Sequence, residues 1–444
     1  MHPRPLAALL AIGDELVLGE KLDTNSLWLA DRLGQAGLLV AEHCTAPDNL
    51  DAIASAIVRL TGSADAVIIG GGLGPTADDL TRQALGRALE ILTGQPQPLI
   101  EDAHALEAIK GYFDRTGRAM PETNRVQALR PQGAQGVPNG NGTAPGMLAR
   151  VELAGRQRII ACLPGPPREM RPMFDSDIEP ILRQLPGVAH GELRVVQVFG
   201  LGESELASRI TDLMRRDNNP TVGTTASSGM VTCRVRVEPT REVRGPYVAK
   251  NPLAAVEEAM AFIGRVCEGY VVSHENQTLA GTLLKEAIEA GVTIATAESC
   301  TGGLVGQLLT AEAGSSKAYT GGWVTYSNAM KASELGVPMA ELESYGAVSR
   351  EVAIAMAQGA AARANAGLAL SITGIAGPDG GTSKKPVGTV WIGCIDSKSV
   401  SHARCFRFSG DRESIRRWSA NTALFMGLMA MRGQTDAKLL RETP

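Results

Sequence analysis

The apolar, β-branched run Val292–Ala297 stops at Glu298-Ser299-Cys300-Thr301-Gly302-Gly303, and helical spacing resumes with Leu304, Val305, Leu308 and Leu309. A strand that turns through small residues straight into a helix is half of a βα unit, and such a turn points backbone N–H groups at a ligand. Ser299 sits among those donors, so one turn can hold a nucleophile and an anion-stabilising pocket. The competing reading is that Glu298, Ser299 and Thr301 only cap the helix. The same pattern recurs upstream. Leu6–Ile12 runs into Gly13-Asp14-Glu15, and Ala66–Ile69 into Gly70-Gly71-Gly72-Leu73-Gly74-Pro75-Thr76-Ala77-Asp78-Asp79. Helical stretches lie between, one capped at Asp23 or Thr24 and one through Ala52–Leu60, with a strand at Leu38–Glu42. This alternation predicts an α/β protein whose N-terminal part is a doubly wound, mostly parallel sheet with ligands beyond the carboxyl ends of its strands.

A length of 444 residues calls for two or three domains, and 44% hydrophobic with 20% charged residues is globular composition. A net charge of −4 argues against a broad nucleic-acid surface. The seven cysteines are scattered and form no C-x-x-C pair, which suits reduced thiols in a cytoplasm. The apolar start reads as a first strand, not a signal peptide, and no window nears the roughly 18 apolar residues of a membrane span. The expectation is a cytoplasmic protein with no membrane partner.

Gly72-x-Gly74-x-x-Ala77 matches a loose dinucleotide fingerprint, but Pro75 stiffens the turn and Asp78 with Asp79 would repel a bare phosphate. A divalent metal, Mg²⁺ or similar, reverses that sign. Asp14, Glu15, Asp78 and Asp79 are therefore the metal candidates, with Gly72, Gly74 and Thr76 against the substrate. The alternative is that the two aspartates only favour a helix N-terminus, worth ~0.3–1 kcal/mol each. Pro138–Gly146 and Pro164–Met170 are shaped loops beside a strand at Ile159–Leu163 and could wall the same cleft.

Strands at Leu193–Val198 and Val231–Val237 flank a helix at Glu203–Met214 in the middle of the chain. Arg234, Arg236, Arg241 and Arg244 read as a solvated strand face, and no G-x-x-G clamp occurs there. Nucleic acid is an unexpected partner, and the segment is read as a spacer or assembly module. Beyond it come a helix from Leu279 to Gly291 and strands at Gly321–Tyr326, Leu368–Thr373, Val387–Ile395 and Ala403–Phe408. A last helix covers Ser414–Met431.

The ordered set Gly13-Asp14-Glu15, Asp23-Thr24-Asn25, Gly71–Thr81, Gly142–Gly146 and Pro164–Met170 resembles the N-terminal domain of the CinA family, which is similar in fold to the molybdopterin-binding domain. It spans 1–172, and 173–270 resembles the family's small α+β KH-like module. Ala-Glu-Ser-Cys-Thr-Gly-Gly, Val-Thr-Tyr-Ser-Asn-x-x-Lys, Gly-Ala-Val-Ser, Thr-Gly-Ile-Ala-Gly-Pro-Asp-Gly-Gly and Ser-Gly-Asp-Arg follow in order. Together they resemble the PncC-type nicotinamide mononucleotide (NMN) amidohydrolase, an α/β domain covering 275–432. The resemblance implies a homodimer with two activities. One is metal-dependent hydrolysis of ADP-ribose at its pyrophosphate. The other is metal-free hydrolysis of NMN to nicotinate mononucleotide and ammonia.

Amide hydrolysis needs a nucleophile, a base, an oxyanion pocket and a grip on the substrate phosphate. Ser299 is the nucleophile both on this argument and by the resemblance, with Thr301, Gly302 and Gly303 around the substrate. His274 and His402 are poorly placed as bases. Lys331 resembles the family's lysine partner and must be partly neutral near pH 7, which burial or a nearby cation can achieve. Tyr326 is a candidate to relay or orient the proton, and Thr373 is the polar group that the family places at the neighbouring strand end. Arg412 suits the phosphate. Cys300 is the rival nucleophile, since thiolates at helix starts are reactive. Two other functions compete: a nucleotide-binding competence or damage-response regulator with one or both sites inactive, and a molybdopterin-handling N-terminal domain.

Overall fold

The computed structural model describes residues 4–188, 193–238, 241–396 and 400–443, in two units divided at Gly191/Glu192. In the first unit the strands are β1 (Leu6–Ile12), β2 (Leu39–Ala46), β3 (Ala66–Gly70), β4 (Ala134–Val137), β5 (Gly146–Leu153) and β6 (Arg156–Leu163). They form one sheet in the order β2-β1-β3-β6-β5-β4. The first four in that order run parallel, and β5 and β4 add an antiparallel edge. Strand β1 is apolar throughout because both its faces are covered. Ala8, Leu10 and Ile12 meet helices α2 (Leu50–Ser63) and α3 (Thr81–Thr93). Ala7 and Leu9 meet α1 (Thr24–Gln35) and the segment holding Met170 and Phe174. The side chain of Asp23 caps α1 through Ser26 N–H, and Asn49 caps α2. The β3–α3 turn requires glycine: Gly71 has φ +105°, and a Cβ there would sit 2.6 Å from the Ile12 carbonyl.

In the second unit, β7 (Leu193–Phe199), β8 (Thr221–Ser227), β9 (Met230–Arg236) and β10 (Val271–Ser273) pair antiparallel in the order β8-β9-β7-β10. Helices α4 (Glu203–Arg209) and α5 (Pro252–Val266) cover the sheet with Leu206, Val256 and Ile263. The helix expected over Glu203–Met214 ends at Arg209 and tightens into a 3-10 turn at Thr211–Met214, where Thr211 Oγ1 turns back onto the Ala207 carbonyl.

The same unit continues with α6 (Leu279–Ala290), β11 (Ile294–Glu298), α7 (Leu304–Thr310), β12 (Tyr319–Val324), α8 (Asn328–Leu335) and α9 (Met339–Tyr345). It ends with α10 (Arg350–Ala364), β13 (Leu368–Gly374), β14 (Thr389–Ile395), β15 (Ser401–Arg407) and α11 (Arg412–Arg432). The sheet order is β12-β11-β13-β14-β15, parallel across β12, β11 and β13 and antiparallel beyond. Helices α6 and α11 cover one face through Leu283, Phe425 and Leu428. Helix α10 covers the other through Val352, Met356 and Ala360. Register places Glu298 beside Val324 and Ile372, so three parallel strands release their chains at one end of the sheet. That end carries the site. No helix among the described residues is long and apolar enough to cross a membrane.

Candidate active site

Strand β11 delivers Ser299 at its carboxyl end, with Ser299 N–H bonded to the Ile372 carbonyl of β13 at 3.0 Å. The turn then closes through Gly302 N–H to the Ser299 carbonyl at 3.1 Å. Gly302 (φ +61°) and Gly303 (φ +92°) occupy the left-handed region, where a side chain is strained, so the glycine pair fixes the turn's shape. The N–H groups of Cys300, Thr301 and Gly303 have no acceptor among the described residues. The capping role falls to Glu298 alone: its buried carboxylate accepts from Val305 N–H at 3.1 Å and Gly306 N–H at 2.9 Å. Ser299 is thereby left out of the cap, with 8% exposure.

Its partner comes from α8, capped by Ser327. Lys331 is 1% exposed, and its Nζ lies 3.0 Å from Ser299 Oγ. The amine donates to the Thr325 carbonyl at 2.8 Å and to the Tyr326 carbonyl at 3.5 Å. No carboxylate pairs with it among the described residues. Burial holds its pKa below the ordinary lysine value. Two carbonyls occupy the two N–H groups of a neutral amine, which leaves its lone pair for the serine hydroxyl. Cys300 Sγ is buried, and burial pushes its thiol up to about 12, which disfavours the thiolate that a rival nucleophile needs. Thr301 Oγ1 and Thr325 Oγ1 are buried, with no hydrogen-bond partner among the described residues.

The remaining sequence candidates fall at different distances from the chemistry. Tyr326 is 63% exposed, and its hydroxyl accepts from Arg412 at 3.2 Å, so its link to Lys331 runs through its carbonyl and not through a phenol relay. Thr373 is buried and donates to the Ala347 carbonyl at 2.7 Å, which makes it a fastener of the loop before α10. Arg412, in the first turn of α11, reaches the Gly377 carbonyl at 2.8 Å and Tyr326. One turn further on, Arg416 Nε and Nη2 lie 3.2 and 2.6 Å from the Thr301 carbonyl. Sequence reading missed Arg416, although its i, i+4 spacing from Arg412 places both on one helix face.

In the first unit, the ends of β1, β3 and β6 surround a cleft of about 400 Å³ lined by Gly72, Gly74, Glu15, Asp48, Asp78 and Glu169, among others. Of the four acids expected to hold metal, Asp79 is tied to its own loop. It accepts from Gly74 N–H at 2.7 Å, Thr76 N–H at 2.9 Å and the Thr76 hydroxyl, so both Asp79 and Thr76 shape the loop. Asp14 exchanges backbone and side-chain bonds with Asp48. Asp48, absent from the sequence reading, has its carboxyl raised by burial and by the charges of Asp14, Asp78 and Glu15. Among the described residues no three His, Cys, Asp or Glu side chains form a ready metal cage. The carboxylates of Glu15, Asp48 and Asp78 along this cleft are the hard oxygen donors that a cation such as Mg²⁺ takes, keeping few protein ligands and completing its shell with substrate oxygens.

Family profiles match three stretches: "Probable molybdopterin binding domain" at 8–184, "Damage-inducible protein CinA KH domain" at 193–258 and "CinA C-terminal domain" at 276–431. A CinA-like protein of Geobacter metallireducens is 41% identical over 419 residues, 94% of this chain and 97% of that one. The chain belongs to the CinA family. A CinA-like protein of Dictyoglomus thermophilum is 37% identical over 417 residues, with 94% and 97% coverage. Among solved structures, a competence/damage inducible protein from Agrobacterium tumefaciens is 41% identical, covering 35% of this CinA chain and 93% of its own, with a TM-score of 0.34. The CinA fold, with Ser299 and Lys331 at the sheet end, is compatible with an amidohydrolase role. The order of a molybdopterin-binding-like domain, a KH-like module and a CinA C-terminal domain accounts for most of the chain.

Proposed function

We propose that the C-terminal domain hydrolyses NMN to nicotinate mononucleotide and ammonia. The observation that carries this reading is the buried Lys331 amine 3.0 Å from Ser299 Oγ with no carboxylate to hold its proton. Ser299 Oγ attacks the carboxamide carbon and passes its proton to Lys331. The N–H groups of Cys300 and Thr301 take the developing oxyanion. Lys331 returns the proton to the departing nitrogen, and ammonia leaves an acyl-serine. Water, deprotonated by the same amine, then attacks that ester, Lys331 passes the proton on to the departing Ser299 Oγ, and the pyridine carboxylate is freed with serine and amine restored. Arg412, exposed at the helix start, grips the substrate phosphate through donors left over from Gly377 and Tyr326. Arg412→Ala should raise KM for NMN by about 10–100-fold, in line with a charge-assisted hydrogen-bond pair worth ~1.5–3 kcal/mol, and leave kcat within about threefold. Steady-state ammonia assays check this, and an unchanged KM would remove Arg412 from the phosphate site.

For the N-terminal domain the reading is cleavage of the ADP-ribose pyrophosphate, with Glu15, Asp48 and Asp78 holding a divalent cation. When bound, the cation neutralises charge on the phosphate oxygens. The glycines of the Gly72–Pro75 loop let the substrate approach the backbone closely. Chelator treatment, or Asp78→Asn, should lower ADP-ribose cleavage by at least about 100-fold and leave ammonia release from NMN within twofold. Chromatography of AMP from both incubations tests it; parallel loss of the two activities would contradict separate sites. The molybdopterin-domain match keeps a second reading in view, and tight pterin binding without AMP formation would favour it.

The wider reading is a cytoplasmic, homodimeric enzyme of pyridine-nucleotide recycling that acts on small nucleotides. Sedimentation of the full chain measures the dimer.

A further inference from the structure

The middle module touches the helix that touches the nucleophile turn. Between β8 and β9 the chain reverses at Ser228 and Gly229, both at positive φ. A Cβ on Gly229 would overlap the indole of Trp418 on α11. The Ser228 carbonyl accepts from Asn421 Nδ2 at 3.2 Å, one turn further along the same helix. Phe199, the last residue of β7, packs on Trp418 and Phe425 with ring centroids 6.2 and 5.2 Å apart. Arg441 stacks on Trp418 at 4.4 Å, and Leu440 N–H bonds to the Gly200 carbonyl at 2.7 Å. Helix α11 is therefore held from its side by the module and by the C-terminal strap.

Two residues before Trp418, Arg416 puts both forks of its guanidinium on the Thr301 carbonyl. Two N–H groups of a charged fork converge on that one oxygen and hold the position of the Thr301 carbonyl. The Thr301–Gly302 peptide follows the N–H groups of Cys300 and Thr301, two of the turn's donors without an acceptor among the described residues. Gly302 and Gly303 lack side chains that could lock the turn from within. The turn's own bonds, Gly302 N–H to the Ser299 carbonyl and Leu304 N–H to the Thr301 carbonyl, are joined by a charged side chain from another element, Arg416.

We propose that Arg416 is a positioning residue for the oxyanion pocket, and that the Ser228–Gly229 hairpin of the KH-like module braces α11 so that Arg416 stays in register. The module is on this view a working part of the C-terminal site. The inference rests on the NMN amidohydrolase reading given above. Coupling of this kind is measured as an interaction free energy between the two positions.

A double-mutant cycle on the full chain provides that measurement. Arg416→Ala should lower kcat for ammonia release by about 30–100-fold with KM within threefold, the pattern of lost transition-state stabilisation. Arg416→Lys should recover little of it, since an ammonium lacks the rigid fork that brings two donors onto the Thr301 carbonyl, while added guanidinium at a non-denaturing concentration should restore part of the Ala variant's rate. Gly229→Val should lower kcat by about 10-fold in the wild-type background and by less than twofold in Arg416→Ala. Asn421→Ala is the milder second variant if Gly229→Val does not fold, with an expected drop of about three- to fivefold that also vanishes without Arg416. Wild-type kcat in Arg416→Ala, or hairpin effects that multiply fully with it, would overturn the proposal. If the wild-type chain releases no ammonia from NMN, the amidohydrolase reading fails first, and that outcome is seen before any variant is made.

Discussion

Ser299→Ala is expected to abolish the proposed ammonia release from NMN, by at least about 10⁴-fold in kcat, the size expected when a nucleophile acting as a unit with its base is removed. The proposed ADP-ribose cleavage should stay within twofold. The expectation follows from what surrounds the hydroxyl. Ser299 is the residue whose side chain meets the Lys331 amine, and it is excluded from the helix cap by Glu298. Its loss removes one contact at a site already satisfied on the Thr325 carbonyl, so the fold should lose no more than about 1 kcal/mol. Cys300→Ala supplies the control. Burial pushes the Cys300 thiol up to about 12 and so disfavours the thiolate, and that variant should keep its kcat within a few-fold. Ammonia measured with a coupled dehydrogenase, and AMP by chromatography, give both readouts on one preparation. A Cys300 variant as inactive as Ser299→Ala would move the chemistry to the thiol.

Much of the architecture was legible because apolar periodicity and glycine placement encode it directly. The alternation around Leu6–Ile12 and Ala66–Ile69 predicts the parallel sheet that β1, β2, β3 and β6 form, since strands covered on both faces must be apolar at every position. The ends were less visible. The strand expected at Gly321–Tyr326 is Tyr319–Val324: Thr325 N–H makes a last bond to the Glu298 carbonyl, and the Ser327 cap then starts α8. In the site, Ser299 and Lys331 were legible as types and through the resemblance, but their 3.0 Å separation depends on the sheet register. Rotamer-level roles were out of reach. Asp79 has the composition of a metal ligand, yet its carboxylate is consumed by Gly74 and Thr76 five and three residues back. Tyr326 and Thr373 spend their hydroxyls on Arg412 and Ala347. Arg416 carried a spacing signal and no motif. Asp48 carried neither, sitting in sequence as the residue before a helix cap and in space among three other acids.

Lys331→Met carries the second large effect, and here activity and stability should part company. Methionine matches the length of the buried stem and removes the amine, so kcat for NMN falls by at least about 10³-fold, the upper part of the range for a lost general base. A residue kept for the fold alone would also lose melting temperature. The substitution gives up the bonds to Thr325, Tyr326 and Ser299, each worth ~0.5–1.5 kcal/mol net, and gains by no longer burying an amine that no carboxylate neutralises. The two nearly offset, and the melting temperature should stay within a few degrees of wild type. The pH dependence carries the same logic with a definite sign. Burial disfavours the ammonium, so the folded-state pKa of Lys331 lies below that of a free lysine. Activity is present while the amine is neutral and is lost as pH falls through that pKa, giving kcat/KM a single acid limb. Lys331→Arg keeps a cation that cannot deprotonate in this range and should be inactive at every pH. A wild-type profile flat down to pH 5, or an active arginine variant, would show that residue 331 contributes charge and not a base. The proton would then have to leave Ser299 by water alone.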